Sequence, residues 1–139
     1  MRRYRANQTP IPSIYTFTVP GPPRPKPRPR VTKFGTYMPE GYVTYKALVG
    51  ACFRDKYPGD HLSTTEWWLS IEFHVRPTTR GDCDNLAGGI MDALEGVVWD
   101  NDRQVQALHV RKIKCITRKE QPWTQVRMAE FDLSCSNAE

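Results

Sequence analysis

Trp67-Trp68-Leu69-Ser70-Ile71-Glu72-Phe73-His74-Val75 reads as a half-buried strand, and the stretch that follows it, Gly81-Asp82-Cys83-Asp84-Asn85-Leu86 through Gly96, reads as a helix. Together they decide the fold. In the first segment Trp67, Leu69, Ile71, Phe73 and Val75 alternate with Trp68, Ser70, Glu72 and His74, a period of two, and Pro77 ends the run. In the second, Asp84 is a good helix N-cap. Leu86, Ile90, Ala93 and Leu94 form an apolar stripe at helical spacing, and Gly96 stands where a helix C-terminus favours glycine. Val97-Val98-Trp99 then leads into the acidic turn Asp100-Asn101-Asp102.

Working outward, Ile14-Tyr15-Thr16-Phe17-Thr18-Val19 alternates as a strand with Tyr15, Phe17 and Val19 on one face. Residues from about 40 to 57 read as a helix, with Tyr45, Leu48, Val49, Cys52 and Phe53 as its core stripe and Pro58-Gly59 as its stop. Strands follow from about Gln104 to Ile116 and from Trp123 to Leu133, with imperfect alternation that fits bulges. The order β-α-β-α-β-β predicts a single α+β domain over residues 1–139, a mixed sheet of about four strands with two main helices packed on it. There is no internal repeat.

The chain has 139 residues, enough to bury a core without disulfides or metal staples. Apolar residues make up 39% and charged residues 25%, which excludes wholesale disorder. No apolar run approaches the ~20 residues of a membrane span, and the N-terminus lacks the apolar stretch of a signal peptide. The expectation is a soluble cytoplasmic protein with no membrane partner. Cys52, Cys83, Cys115 and Cys135 form no CxxC or zinc spacing; reduced thiols are the simplest reading, and a disulfide between distant cysteines stays open.

The net charge is +5, and it is uneven. Residues 1 to 33 hold eight basic side chains and no acid, and nine of the twelve prolines precede residue 40. Pro20 to Arg30 alternates proline with Arg24, Lys26, Arg28 and Arg30, so an extended, polyproline-like arm is expected. An arm of spaced cations suits a phosphate backbone. Two other readings stand beside it: a solvated linker, and a proline-rich ligand for an adaptor domain.

Asp82 and Asp84 lie two residues apart before a helix, and Asp100 and Asp102 follow it. Turns at the two ends of one short helix can return to the same region, and carboxylates gathered there would repel unless a cation sat between them. Oxygen ligands select a hard cation, Mg²⁺ or Mn²⁺. The bland reading is that Asp and Asn are ordinary cap and turn residues. The calcium-loop pattern fits poorly, because its Gly and terminal Glu are missing. What favours the metal is the company it keeps: basic side chains to hold phosphates and carboxylates to hold a cation are what a metal-dependent nuclease requires.

These segments resemble the RusA-like Holliday junction resolvases of bacteria and their phages. The resemblance rests on Asp82-Cys83-Asp84-Asn85-Leu86, then Asp92-Ala93-Leu94, then Trp99-Asp100-Asn101-Asp102-Arg103-Gln104-Val105. The first strand running into Pro20-Gly21-Pro22-Pro23, and His109-Val110-Arg111-Lys112, also look like the family. It implies a homodimer, Mg²⁺ dependence and paired nicks in four-way DNA junctions, with two-fold symmetry in both enzyme and substrate. By position the family's catalytic, metal-binding acids fall on Asp82, Asp84 and Asp102. Arg24, Arg28, Arg30, Arg80 and Lys112 are the candidate DNA contacts.

Two positions depart from the pattern. A lysine is usual four residues after the second acid, where this chain has Gly88, and a second acid is common where it has Asn101. Gly88-Gly89 also weakens the helix, by ~1 kcal/mol per glycine relative to alanine. Asp92 shares a helical stripe with Asp84 and Gly88. The competing expectation is therefore a branched-DNA-binding protein of the same fold with weak or no cleavage. Lys112, Arg80 and Arg103 are candidates to supply the missing charge.

Overall fold

The computed structural model describes residues 14–28, 30–114, 117 and 119–131, and the side chains of all of these except Arg30 and Tyr37. The expected arm position Arg30 is thus placed by its backbone alone. Cys115, Cys135, residues 12 and 13 of the expected strand-plus-arm segment, Ile116, and Asp132 and Leu133 of the expected last strand lie outside the described residues.

The elements are β1 (Tyr15–Pro20), β2 (Arg30–Thr32), β3 (Gly35–Tyr37), α1 (Glu40–Lys56), β4 (Trp67–His74), α2 (Cys83–Leu94), a 3₁₀ turn (Asp102–Gln104), β5 (Val105–Ile113) and β6 (Trp123–Glu130). The main sheet has the order β1-β6-β4-β5. β4 is central. It pairs parallel with β5 and antiparallel with β6, and β6 pairs antiparallel with β1. The sheet is mixed, as expected, because β4 and β5 are joined by a helical crossover while β5 and β6 are joined by a short link.

The period-two reading of β4 holds along its whole length. Trp67, Leu69, Ile71 and Phe73 are buried, while Trp68, Ser70, Glu72 and His74 are half-exposed on the opposite face. Tyr15, Phe17 and Val19 of β1 and Val126 and Met128 of β6 join the same core, together with Tyr45, Val49 and Phe53 of α1 and Leu86, Ile90 and Leu94 of α2. Both helices therefore cover one face of the sheet. Each large apolar side chain buried this way contributes about 1.5–3 kcal/mol. Leu48 is not in that core: it is 38% exposed, and Tyr42 takes a buried place one turn before Tyr45 on α1.

The expected bulge lies at the start of β5. Trp67 faces Val105 but Trp68 faces Ala107, leaving Gln106 unpaired in the β4–β5 register. The end of α2 also matches expectation, with Gly96 just beyond it at φ +83°.

A two-stranded ribbon stands where no strands are expected from the sequence. β2 and β3 pair antiparallel from Arg30↔Tyr37 to Thr32↔Gly35, so Lys33 and Phe34 form the tip. The Thr32 hydroxyl accepts from Phe34 N at 3.2 Å and donates to Gly35 O at 3.1 Å, closing the turn without the usual Asn-Gly pair. The segment from Pro22 to Arg28 forms no strand or helix, and β2 begins at Arg30, inside the stretch expected to be polyproline-like. Nor is that stretch a free ligand strap: Pro23 is buried, Gly21 N donates to Pro122 O at 2.8 Å, and Lys26 N donates to Asn85 O at 2.9 Å.

Candidate active site

The acidic segment begins at a tight turn. Gly81 has φ +104°, where a side chain would be strained and its Cβ would lie 3.2 Å from Leu86 Cδ2. Lys112, near the end of β5, donates from Nζ to the Gly81 carbonyl at 2.7 Å. The residue after this clamp is Asp82, and it is Asp82 rather than Asp84 that stands at the N-cap of α2. Asp84 sits in the first helical turn, and the cap residue makes no side-chain cap hydrogen bond. The bland capping role therefore does not occupy either carboxylate. Arg80, Asp82, Cys83, Asp84 and Asn85 are all exposed. Among the described residues, no hydrogen bond or ion pair engages the Asp82 or Asp84 side chain.

The second acidic group has a different position. Asp100-Asn101-Asp102 precedes β5, whose first residue pairs with Trp67. Lys112 pairs with Phe73 and clamps Gly81, so Asp82 belongs to the other end of the sheet. The length of α2 separates the two groups, about 18 Å for twelve residues at helical rise. The expectation that both turns return to one region is therefore not met within one chain. Among the described residues, no three His, Cys, Asp or Glu side chains gather closely enough to hold a metal ion.

Asn101 has a structural task. Its Oδ1 accepts from Arg103 N at 2.9 Å, and Gln104 Oε1 accepts from Asp100 N at 2.8 Å and Asn101 N at 3.0 Å, a reciprocal cap on the 3₁₀ turn. Gln104 Nε2 then donates to Ser63 O and Thr65 O at 2.8 and 2.9 Å, pinning the turn to the segment before β4. Position 101 thus needs an acceptor that caps, and the Asn101 Oδ1 is already used. Arg103 is tied to the same Oδ1 through Nε at 3.3 Å.

The basic arm lies along α2, and Gly89 makes this close approach possible. A Cβ at Gly89 would fall 2.7 Å from the Arg24 carbonyl oxygen, a contact no side chain tolerates. A Cβ at Gly88 would lie 3.4 Å from Lys26 Cβ and 3.6 Å from Lys26 Cδ. The two glycines are thus a docking groove, a purpose invisible when only helix propensity is considered. Arg24 sends its guanidinium the other way, over Gly41 at the start of α1, where a Cβ would meet Nη1 at 2.8 Å. Arg28 is exposed.

One turn beyond Gly88, Asp92 anchors a polar cluster the sequence reading did not resolve. It accepts from Tyr42 Oη at 2.9 Å and pairs with Lys46 at 3.2 Å and Lys26 at 3.8 Å. Burial opposes its charge, but the Tyr42 hydrogen bond and the two lysines outweigh that and hold its carboxyl below the usual aspartate range. Burial, and then the bond to Asp92, push the Tyr42 phenol far above its ordinary value.

The domain is thus α+β, with exposed carboxylates at the start of its crossover helix and a proline-rich basic segment lying along that helix. The particular family follows from comparison: the pattern described as "Endodeoxyribonuclease RusA" matches residues 20–128, and the chain belongs to that family. It is accordingly an endodeoxyribonuclease of the Holliday junction resolvase type, acting on branched DNA. No curated protein matches the chain. Among the described residues no helix is long and apolar enough to cross a membrane.

Proposed function

We propose that this protein is a Mg²⁺-dependent (or Mn²⁺-dependent) homodimer that nicks four-way DNA junctions symmetrically, in recombination and repair in the cytoplasm of a bacterium or its phage's host. The observation that carries the reading is the pair Asp82 and Asp84, two exposed carboxylates without partners among the described residues, on a turn that is itself clamped. An all-oxygen donor set of this kind suits a hard divalent cation. When bound, such an ion lowers the pKa of water and offsets charge on a phosphate.

The residues of the chain then divide the work. Asp82 and Asp84 hold the cation. Asp102 is too distant to join them in its own chain, so it contributes from a second copy, and the site is complete only in the dimer. A two-fold dimer built this way carries two equivalent sites, which suits two symmetric nicks. Arg80 supplies a cation beside the acids, Arg28 and Arg30 belong to the basic segment that would meet the phosphates, and Arg24 extends the basic surface toward α1. Lys112 is already engaged by the Gly81 carbonyl, which makes it a positioning residue for the acidic turn.

The second reading, a junction-binding protein that cleaves weakly or not at all, draws on Gly88, which leaves the helix without a cation one turn after Asp84. One experiment separates the two. A synthetic four-way junction is incubated with the protein in Mg²⁺ or EDTA, beside Asp82→Asn. Paired nicks that need Mg²⁺ and vanish in Asp82→Asn establish the nuclease. Tight, salt-sensitive binding with no nick in Mg²⁺ or on substituting Mn²⁺ establishes the binding protein. Loss of binding altogether, or binding indifferent to salt, sinks both.

A further inference from the structure

Lys26 combines a fixed root with an uncommitted tip. Its backbone N–H is bound to the Asn85 carbonyl at 2.9 Å, one residue from Asp84. Its stem passes over Gly88, where an added Cβ would lie 3.4 Å from Lys26 Cβ. Its ammonium reaches Asp92, but at 3.8 Å it is the looser of the two lysines there, 43% exposed against 29% for Lys46. Asp92 already receives Tyr42 and Lys46 at shorter range. The fold therefore has little need of the Lys26 charge, although it has shaped a glycine groove to receive the residue.

The other cations near the acids are differently placed. Lys112 is spent on Gly81, Arg24 is turned toward α1, and Arg103 is held by Asn101 at the far end of α2. Arg80, exposed two residues before Asp82, precedes the helix, whereas Lys26 is bonded through its backbone to Asn85 in the first turn of α2.

We propose that Lys26 is the residue that binds the scissile phosphate and stabilises the charge building on its non-bridging oxygens during hydrolysis. This rests on the reading of Asp82 and Asp84 as the hydrolytic site. In the free protein the ammonium rests on Asp92. When a phosphodiester is seated at the acids it swings back along Gly88, a shift of about one helical turn, ~5.4 Å. It stays protonated throughout and forms no covalent bond. Water attacks phosphorus and gives up a proton to solvent, the bond to the leaving oxygen breaks and that oxygen takes a proton from solvent, and the lysine acts electrostatically throughout. The cation that α2 cannot carry at position 88 is thereby delivered from the arm.

The test uses the full chain with Lys26→Met, which keeps the stem over Gly88 and removes the charge, and with Lys26→Arg, which keeps the charge. Single-turnover cleavage of a four-way junction in Mg²⁺, junction affinity in EDTA and the thermal midpoint are measured together. Lys26→Met is expected to cut about 10²-fold more slowly while affinity changes less than about threefold and the midpoint moves less than about 2 °C. Lys26→Arg should recover most of the rate. The inference is overturned if Lys26→Met cuts at the wild-type rate, if affinity falls as far as rate, or if Lys26→Arg is as slow as Lys26→Met. A wild-type protein that cuts nothing removes the parent reading as well. A cutting wild type with an unaffected Lys26→Met removes this inference alone.

Discussion

Lys112 Nζ lies 2.7 Å from the carbonyl oxygen of Gly81, so the far end of β5 holds the residue just before Asp82. The ammonium is half-buried and the bond is charge-assisted. Lys112→Met is expected to cost about 1 kcal/mol, toward the low end for such bonds because solvent reaches it. Urea unfolding checks that figure. Cleavage should fall further than this small loss of stability explains, because the turn carrying Asp82 loses its tether.

The two central glycines of α2 should respond oppositely to alanine. At Gly88 the new Cβ meets Lys26 at ordinary contact distance, so Gly88→Ala should raise stability by up to about 1 kcal/mol through helix propensity. At Gly89 the Cβ would fall 2.7 Å from a backbone oxygen, and Gly89→Ala should expel the arm from α2. Thermal melts should separate the pair, and proteolysis within residues 20–28 should accelerate in Gly89→Ala alone.

Acid should weaken the protein through Asp92. Its folded-state pKa is lowered, so its contribution is present above the ordinary aspartate value of 3.8 and is lost as pH falls through the folded value. Asp92→Asn should therefore reduce stability at neutral pH and flatten the decline below about pH 4. Tyr42 has the opposite sign. Its raised phenol favours the neutral form, so its contribution is present below the ordinary value of 10.0 and is lost in strong alkali. Denaturant midpoints across pH read both limbs.

Asn101→Ala should cost about 1 kcal/mol by removing the cap on the 3₁₀ turn, whereas Asn101→Asp, which retains the acceptor, should stay close to wild type. Equal losses in the two variants would contradict the capping role.

The separation of the acids along α2 makes a mixing experiment decisive. Asp82→Asn and Asp102→Asn should each abolish cleavage as pure preparations. If Asp102 serves the partner's site, a heterodimer of the two variants contains one intact site and one doubly damaged site. The mixture should then regain single-strand nicking without paired cuts. If the acids work within one chain, both sites of that heterodimer are broken and the mixture stays inactive.

Much of the fold was legible in the residues. The alternation of Trp67 to Val75 and the stripe Leu86, Ile90, Leu94 record burial on one side, and burial dominates the energy of such elements. The ribbon at residues 30–37 was not legible, because its strands are three residues long and its turn is closed by a threonine hydroxyl rather than an Asn-Gly pair. The acids Asp82 and Asp84 were visible as a motif, but their distance from Asp102 was not. Sequence spacing measures chain, and here the chain includes a straight helix that carries its two ends apart. The role of Gly88-Gly89 was equally hidden, since a glycine required by close approach looks the same as one that merely weakens a helix. The clearest available signal was the acid-free arm with its alternating prolines, which proposed a rigid basic segment without saying where it docks.

The double glycine leaves the middle of α2 poor at holding itself together, and the arm lying across it acts as a splint. Amide protons around residues 88–92 should consequently exchange with solvent at the frequency with which the arm lifts away, slower than in an isolated helix of that composition and faster than in β4. Support and charge arrive on one segment of chain, so a molecule whose arm has come loose would lose helical order and phosphate affinity in a single event, and would be silenced rather than left as a poorly aligned nuclease.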